Sequence, residues 1–189
     1  MNPEITYTLP DYQTQCGCAD IMMHTMERYF VLEDTMEITD KIAQDVMKNV
    51  MKYAKILKKD PENYEARAEI MWCGSLSHNG LTGCGTCGGD WATHLIEHEL
   101  GGMFDVAHGA GLAAVWGSWA RYVMDEKPER FAQFAVDVMG VEESDDVKST
   151  ALKGIEAVED FYRMIEMPTN MKELGINPTD EQIKDMAMK

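Results

Sequence analysis

The stretch "HLIEHELGGMFDVAHG", His94 to Gly109, holds three of the chain's five histidines. His94 and His98 stand four apart in a segment that reads as helix, so both share one face, about 6 Å apart along the axis. Gly101 and Gly102 are expected to let the chain turn, and His108 follows. Gly109-Ala110-Gly111 are small enough to let a second helix start close against another backbone. A lone histidine on an apolar face is usually a satisfied core residue. Three in one glycine-hinged unit point instead toward metal binding or acid–base chemistry. Glu97 and Glu99 are expected to be solvated or structural rather than catalytic.

A matching piece lies upstream. "CADIMMHTMERYF", Cys18 to Phe30, contains Asp20-x-x-x-His24, and this spacing puts a carboxylate and an imidazole on one helical face. Ile21, Met22 and Met23 between them are apolar, so the pair should face inward or into a cleft. A buried carboxylate needs a partner, and a divalent metal satisfies it. One carboxylate with imidazoles suits Fe2+ or Zn2+. The plainer alternative for the pair alone is a helix-surface contact worth a few tenths of a kcal/mol.

Elsewhere the helical period dominates. "DKIAQDVMKNVMKYAKILKK" places Ile42, Val46, Val50 and Ala54 at four-residue steps, with Thr39 and Asp40 as candidate caps. "PENYEARAEIMW" predicts a helix opening at Pro61. "PERFAQFAVDVMG" puts Phe131, Phe134, Ala135 and Val138 on one face and stops at Gly140. "ALKGIEAVEDFYRMIEMP" repeats the pattern with Ile155, Val158, Phe161, Tyr162 and Ile165 before Pro168. No alternating or β-branched run is evident. The chain therefore reads as all-α, a bundle of roughly seven to nine helices. Its 16 methionines are read chiefly as soft core filling. Trp91, Phe104 and Trp116 are candidates for an apolar pocket, with core packing the plainer role for each.

Composition narrows the functional classes. With 189 residues, 45% of them hydrophobic, the chain can bury the core of one domain. A net charge of −16 argues against nucleic acid or an anionic membrane surface as partner. "MNPEITYTLPDYQ" lacks the cationic start and apolar run of a signal peptide, and "LAAVWGSWA" is too short to span a bilayer. Five cysteines suit a reducing, cytoplasmic setting better than a disulfide framework. Cys16-x-Cys18 and Cys84-x-x-Cys87 supply only one true C-x-x-C knuckle, so a four-thiolate zinc site is the weaker reading. "GCGTCG" matches G-x-G-x-x-G at Gly83, Gly85 and Gly88, but no strand precedes it. A helix–helix connection is expected there, with Asp90 near the cap of the helix that carries His94.

The segments "DIMMHTMERYF" and "GGDWATHLIEHELGGMFDVAHGAGLAAVWGSWARYV" resemble the iron-containing alcohol dehydrogenase family, in its butanol dehydrogenase-like branch. "NPEITYTLPDYQT" and "MPTNMKELGI" extend the resemblance over essentially the whole chain. It implies a single helical metal-binding domain over residues 1–189. The fold implied is the C-terminal domain of the dehydroquinate synthase-like, iron-containing alcohol dehydrogenase architecture, with the N-terminal α/β dinucleotide-binding domain absent from this chain. By motif position the resemblance assigns metal ligation to Asp20, His24, His94 and His108. It sets His98 beside nicotinamide and substrate as a proton-relay candidate and gives minor NAD(P) contacts to Thr8 and Leu9. The implied chemistry is hydride transfer between NAD(P) and a short-chain primary alcohol such as butanol, or the matching aldehyde, at Fe2+ or Zn2+. The isolated chain is expected to be inactive, with the exposed interdomain face favouring a homo-oligomer. A rival reading comes from His94-Leu-Ile-Glu97-His98, which fits the H-x-x-E-H pattern of inverted zinc peptidases with Glu97 as base. It leaves Asp20, His24 and His108 without a role.

Overall fold

Helix α1 (Asp11–Tyr29) is the axis of the molecule. Most of its length is buried, including Cys18, Ala19, Met22, Met23 and Met26. A helix enclosed on nearly every side need not show a one-sided apolar stripe. The computed structural model describes residues 2–33 and 35–188. Among these there are eight α-helices, three short 3-10 turns and no strand. Around α1 pack α2 (Glu37–Leu57), α3 (Tyr64–His78) and α5 (His108–Val123). Helix α4 (Ala92–Phe104) lies against α5, and α6 (Pro128–Asp137) against α7 (Val147–Met164). Helix α8 (Asp180–Ala187) closes the described chain with a Thr179–Gln182 capping box. None of these helices is long and apolar enough to cross a membrane.

The core runs from the α1 methionines, through Phe30, Trp116, Phe131 and Phe134, to Ile155, Val158, Phe161 and Tyr162 on α7. The predicted faces of α6 and α7 are the buried ones. Met22, Met23, Met26 and Met47 are fully enclosed, as core filling requires. Trp116 is likewise a fully buried core residue.

Three expected boundaries are corrected. Thr39 and Asp40 lie inside α2 rather than capping it, because their side chains are engaged elsewhere. The Thr39 hydroxyl donates to the Cys84 carbonyl, and the Asp40 carboxylate receives Arg130. Helix α3 starts at Tyr64, not at Pro61, because Asn63 Oδ1 accepts from Ala66 N and fixes the cap there. Gly101 and Gly102 remain helical. The chain leaves α4 at Asp105, whose φ of 54° is left-handed.

The "GCGTCG" segment joins α3 to α4 with no strand before it, as expected. Cys84 and Gly85 form the centre of a tight turn in which Thr86 N donates to Gly83 O over 3.3 Å, and Gly85 supplies the required positive φ of 79°. Asp90 Oδ1 accepts from Ala92 N at the start of α4. Cys16 and Cys18 are buried and Cys84 and Cys87 exposed. No thiol belongs to a candidate metal cluster among the described residues.

Candidate metal centre

Asp20 and His24 project one turn apart from α1, while His94 comes from the first turn of α4 and His108 opens α5. The α1–α5 approach depends on Gly109. A Cβ there would stand 2.0 Å from the Cys16 carbonyl oxygen, so only glycine lets α5 begin against the α1 backbone. That contact lies one turn before Asp20 and carries His108 to it.

The four side chains converge on one point. Asp20 Oδ1 lies 3.6 Å from His24 Nε2, 3.5 Å from His94 Nε2 and 3.5 Å from His108 Nε2. Nitrogen–oxygen hydrogen bonds run about 2.7–3.2 Å, so these separations are too long for that. Donor atoms of Asp20, His94 and His108 all lie within 4.8 Å of one another, close enough for one ion to bridge, while His24 faces the same Asp20 oxygen and groups with Asp20 and His78. Asp20 Oδ1 and His94 Nε2 are also buried without a hydrogen-bond partner. Buried polar atoms are nearly always satisfied, and a divalent cation between these atoms satisfies both. The donor set therefore fits such an ion.

Two further carboxylates hold the imidazoles from behind. Glu27, fully buried, receives His94 Nδ1 on Oε2 and His94 N on Oε1, the latter at 3.0 Å. Glu97 Oε2 pairs with His108 Nδ1. Each pairing leaves Nε2 to face Asp20, the arrangement by which outer carboxylates orient metal-binding histidines. Two glycines make room for Glu97, Gly101 doing so without acting as the expected hinge. A Cβ on Gly111 would lie 2.7 Å from Glu97 Oε1 and one on Gly101 would lie 3.2 Å from it. Glu97 is thus not solvated; it is 1% exposed and positions His108.

The electrostatics follow from this crowding. Burial lowers the pKa of His94, but Asp20 and Glu27 overcome it and lift the group to about 9. Asp20 and Glu97 lift His108 to about 10 against the opposing effect of burial. His24 has no rear carboxylate, and burial presses it down to about 4 despite Asp20. Burial alone would raise Asp20, yet His108 and His94 hold it far below the usual carboxylate range. Any cation binding Nε2 of His94 and His108 must displace their protons, so affinity rises with pH.

His98 lies outside the quartet. Its ring centroid is 6.1 Å from that of His94 and 5.5 Å from that of His108, nearly parallel to the latter at 27°. Glu97, committed to His108 and buried, is not free to act as a base, and His94 Nε2 faces Asp20. The H-x-x-E-H peptidase arrangement is therefore not assembled. Thr8 and Leu9 are exposed just ahead of α1, at the opposite end of that helix from His24, and are not brought into the quartet. Trp91 packs edge-on to His24 and His94 at 5.3 and 5.4 Å between centroids, with a left-handed φ of 64°. Phe104 is half-buried.

Two neighbours of the quartet escaped the sequence reading. Glu27 had a visible signal, since Asp20, His24 and Glu27 follow i, i+4, i+7 along one helical face. His78, whose Nε2 lies 3.3 Å from Asp20 Oδ2, had none, because the approach of α3 to α1 is tertiary.

The chain is similar to known proteins over nearly its whole length. Residues 14–189 match the family described as Fe-containing alcohol dehydrogenase family, C-terminal. NADH-dependent butanol dehydrogenase A of Clostridium acetobutylicum is 34% identical over 93% of this chain and 45% of its own. The NADPH-dependent aldehyde reductase YqhD of Escherichia coli is 33% identical over 93% of this chain and 45% of its own. The crystal structure of NADH-dependent butanol dehydrogenase A from Thermotoga maritima superposes with a TM-score of 0.91 at 36% identity, covering 98% of this chain and 46% of that one. The chain spans a little under half the length of these relatives.

Proposed function

The chain belongs to the Fe-containing alcohol dehydrogenase family, and from that membership we propose that it is the metal-binding catalytic half of an NAD(P)-dependent alcohol dehydrogenase or aldehyde reductase acting on short-chain primary alcohols such as butanol. One observation carries the proposal. Three imidazole Nε2 atoms stand 3.5–3.6 Å from a single buried Asp20 oxygen that has no hydrogen-bond partner.

In this reading Asp20, His24, His94 and His108 hold Fe2+ or Zn2+. When bound, such an ion supplies Lewis-acid polarisation of the alcohol or aldehyde oxygen. The chain's own groups do the rest. Glu27 and Glu97 keep His94 and His108 in the tautomer that offers Nε2. Trp91 shields His24 and His94 on one side. His98, exposed and stacked against His108, exchanges a proton between the substrate oxygen and solvent. Thr8 and Leu9 contribute minor contacts to NAD(P).

The described residues contain no strand and no βαβ unit to hold a dinucleotide, so turnover is assigned to this chain together with an N-terminal α/β domain. Exposed Leu95 and Ile96 on α4 support association with another copy or domain. Free cysteines and the absence of a membrane-crossing helix among the described residues support a cytoplasmic setting.

The test is elemental analysis of the anaerobically purified chain with its His108→Ala variant. About one metal per chain in the wild type, lost in the variant, is the expected result. A wild type that stays metal-free after reconstitution with Fe2+ and Zn2+ overturns the assignment. NADH-linked reduction of butanal by this chain alone overturns the requirement for a partner domain.

A further inference from the structure

The quartet has a fifth histidine at its edge. His78 ends α3, and its Nδ1 lies 2.7 Å from Ser77 Oγ and 3.0 Å from the Gly74 carbonyl. These contacts turn Nε2 toward Asp20 Oδ2, 3.3 Å away. The two oxygens of Asp20 therefore serve two places. Oδ1 faces the three Nε2 atoms of the quartet, and Oδ2 faces His78. The His78 ring lies over that of His24, with centroids 3.9 Å apart. One donor atom each from Asp20, His24 and His78 come within 4.8 Å of one another.

The two places differ in access and in how tightly their ligands are held. The His78 side chain is 42% exposed and that of His94 7%. His94 and His108 are pinned through Nδ1 by Glu27 and Glu97. His24, the imidazole common to both groups, has an Nδ1 that is buried and unpartnered, so no hydrogen bond fixes its ring. A carboxylate with two imidazoles leaves room for water on a divalent cation, whereas the quartet offers four protein atoms.

Resting on the reading of the quartet as a metal site, we propose that Asp20, His24 and His78 form an outer docking position for a divalent transition-metal cation. The ion is held there with part of its water, then exchanges His78 for His94 and His108 while Asp20 and His24 remain its ligands. His78 gives up its contact with Asp20 Oδ2 to bind the ion, and the Nε2 protons of His94 and His108 pass to solvent as those atoms take the ion; no other bond forms or breaks.

A group used only in transit speeds entry and exit alike and leaves the affinity of the end state unchanged. The experiment is loading of the purified metal-free chain with Co2+, followed by quenching of tryptophan fluorescence, and release into excess chelator. His78→Ala is expected to slow both steps by the same several-fold factor with Kd unchanged. His78→Cys, which restores a metal ligand, is expected to recover both rates. His78→Gln, which keeps an N–H donor toward Asp20 but is a poor ligand, is expected not to. Recovery by His78→Gln, a change in Kd in His78→Ala, or unaltered rates in His78→Ala each overturn the docking position. The first two outcomes would make His78 a positioning residue for Asp20. A wild-type chain that takes up no Co2+ overturns the quartet reading as well, so the two failures are distinguishable.

Discussion

Two buried polar clusters lie in this chain, and they are built on opposite principles. Around Arg130 every group finds a partner. Its guanidinium donates to Asp40 Oδ2 and Oδ1 at 2.6 and 2.7 Å, to Tyr29 O at 3.0 Å and to Gln133 Oε1 at 3.2 Å. It also lies over the Tyr29 ring at 3.5 Å. Thr35 and Gln44 complete the network by donating to Asp40 and to Tyr29 Oη. Around Asp20 the pattern is reversed. The outer atoms of His94 and His108 are held by Glu27 and Glu97 and that of His24 by nothing, while the inner atoms face Asp20 Oδ1 at distances too long to bond. A closed network spends its hydrogen-bonding capacity on the fold. A cluster with convergent unspent capacity is made for something that arrives from outside.

The largest expected effect breaks the comparison at its open end. Asp20→Asn removes the carboxylate that faces all three Nε2 atoms, and metal content should fall from about one per chain to near zero. Thermal unfolding of the metal-free variant should stay cooperative, because the partners of that carboxylate are the imidazoles of the site and not the apolar core. A loss of that cooperative fold in metal-free Asp20→Asn would mean that the quartet is structural, like the Arg130 cluster.

The closed end should behave in the opposite way. Arg130→Met strands the buried Asp40 carboxylate, and such losses cost about 3–5 kcal/mol. Denaturant unfolding should show that loss while metal content stays at the wild-type level. The pH dependence supplies the sign. Burial alone would raise the Asp40 pKa, but hydrogen bonds from Arg130 and Thr35 bring it below the ordinary value. Its contribution to stability is therefore full above the unfolded value of about 3.9 and is lost as pH falls through the folded one. The deficit of Arg130→Met relative to wild type should shrink below about pH 4. A deficit that is constant or growing on acidification would show that the clamp does not act through the Asp40 charge.

Much of this was legible in the sequence, and the omissions share a cause. Helical spacing of apolar residues located α6 and α7 to within a few residues, and the i, i+4 pairing of Asp20 with His24 survived intact. Capping went astray at Thr39 and Asp40 because their side chains are claimed by Cys84 and Arg130, and at Pro61 because Asn63 caps the helix two residues later. Gly101 looked like a hinge and Gly111 like room for a helix to start, yet a Cβ at either would crowd Glu97, which turns inward to reach His108 on α5. Glu97 could be read as either solvated or structural, and the structural reading is the one observed, through a partner eleven residues on that local sequence does not reveal. His78 could not be found at all, since its approach to Asp20 joins residues 58 apart.

An intermediate effect tests the outer carboxylates. Glu97→Gln keeps the size of the side chain that Gly101 and Gly111 accommodate but weakens its hold on His108 Nδ1. Changes of this kind typically cost about 10–100-fold in metal affinity. Competition with a chelator should place Glu97→Gln and Glu27→Gln in that range. The loss should shrink at low pH, because removing either carboxylate lowers the pKa of the histidine it held and so relieves the proton competition that the cation meets in the wild type. Affinity unchanged in both variants would reduce these acids to packing residues and erase the distinction between inner and outer atoms.

The smallest expected effect is the sharpest discriminator. His98 sits on the same helical face as His94, and Glu97, His98 and His108 also bring donor atoms within 4.8 Å of one another. Two ion positions thus compete for His108, one with Asp20 on α1 and one with the α4 pair. They differ in what stands behind them. In the first, Glu97 supports His108 through Nδ1 and leaves Nε2 free. In the second, Glu97 would have to release His108 to become a ligand itself, exposing a buried carboxylate pairing. The cost of that release favours the α1 position. His98→Ala should therefore keep about one metal per chain with affinity within roughly tenfold of wild type, below the range expected even for a lost outer carboxylate. An emptied site in His98→Ala with metal retained in Asp20→Asn would move the ion to the α4 pair and leave the quartet as four side chains that meet for another reason.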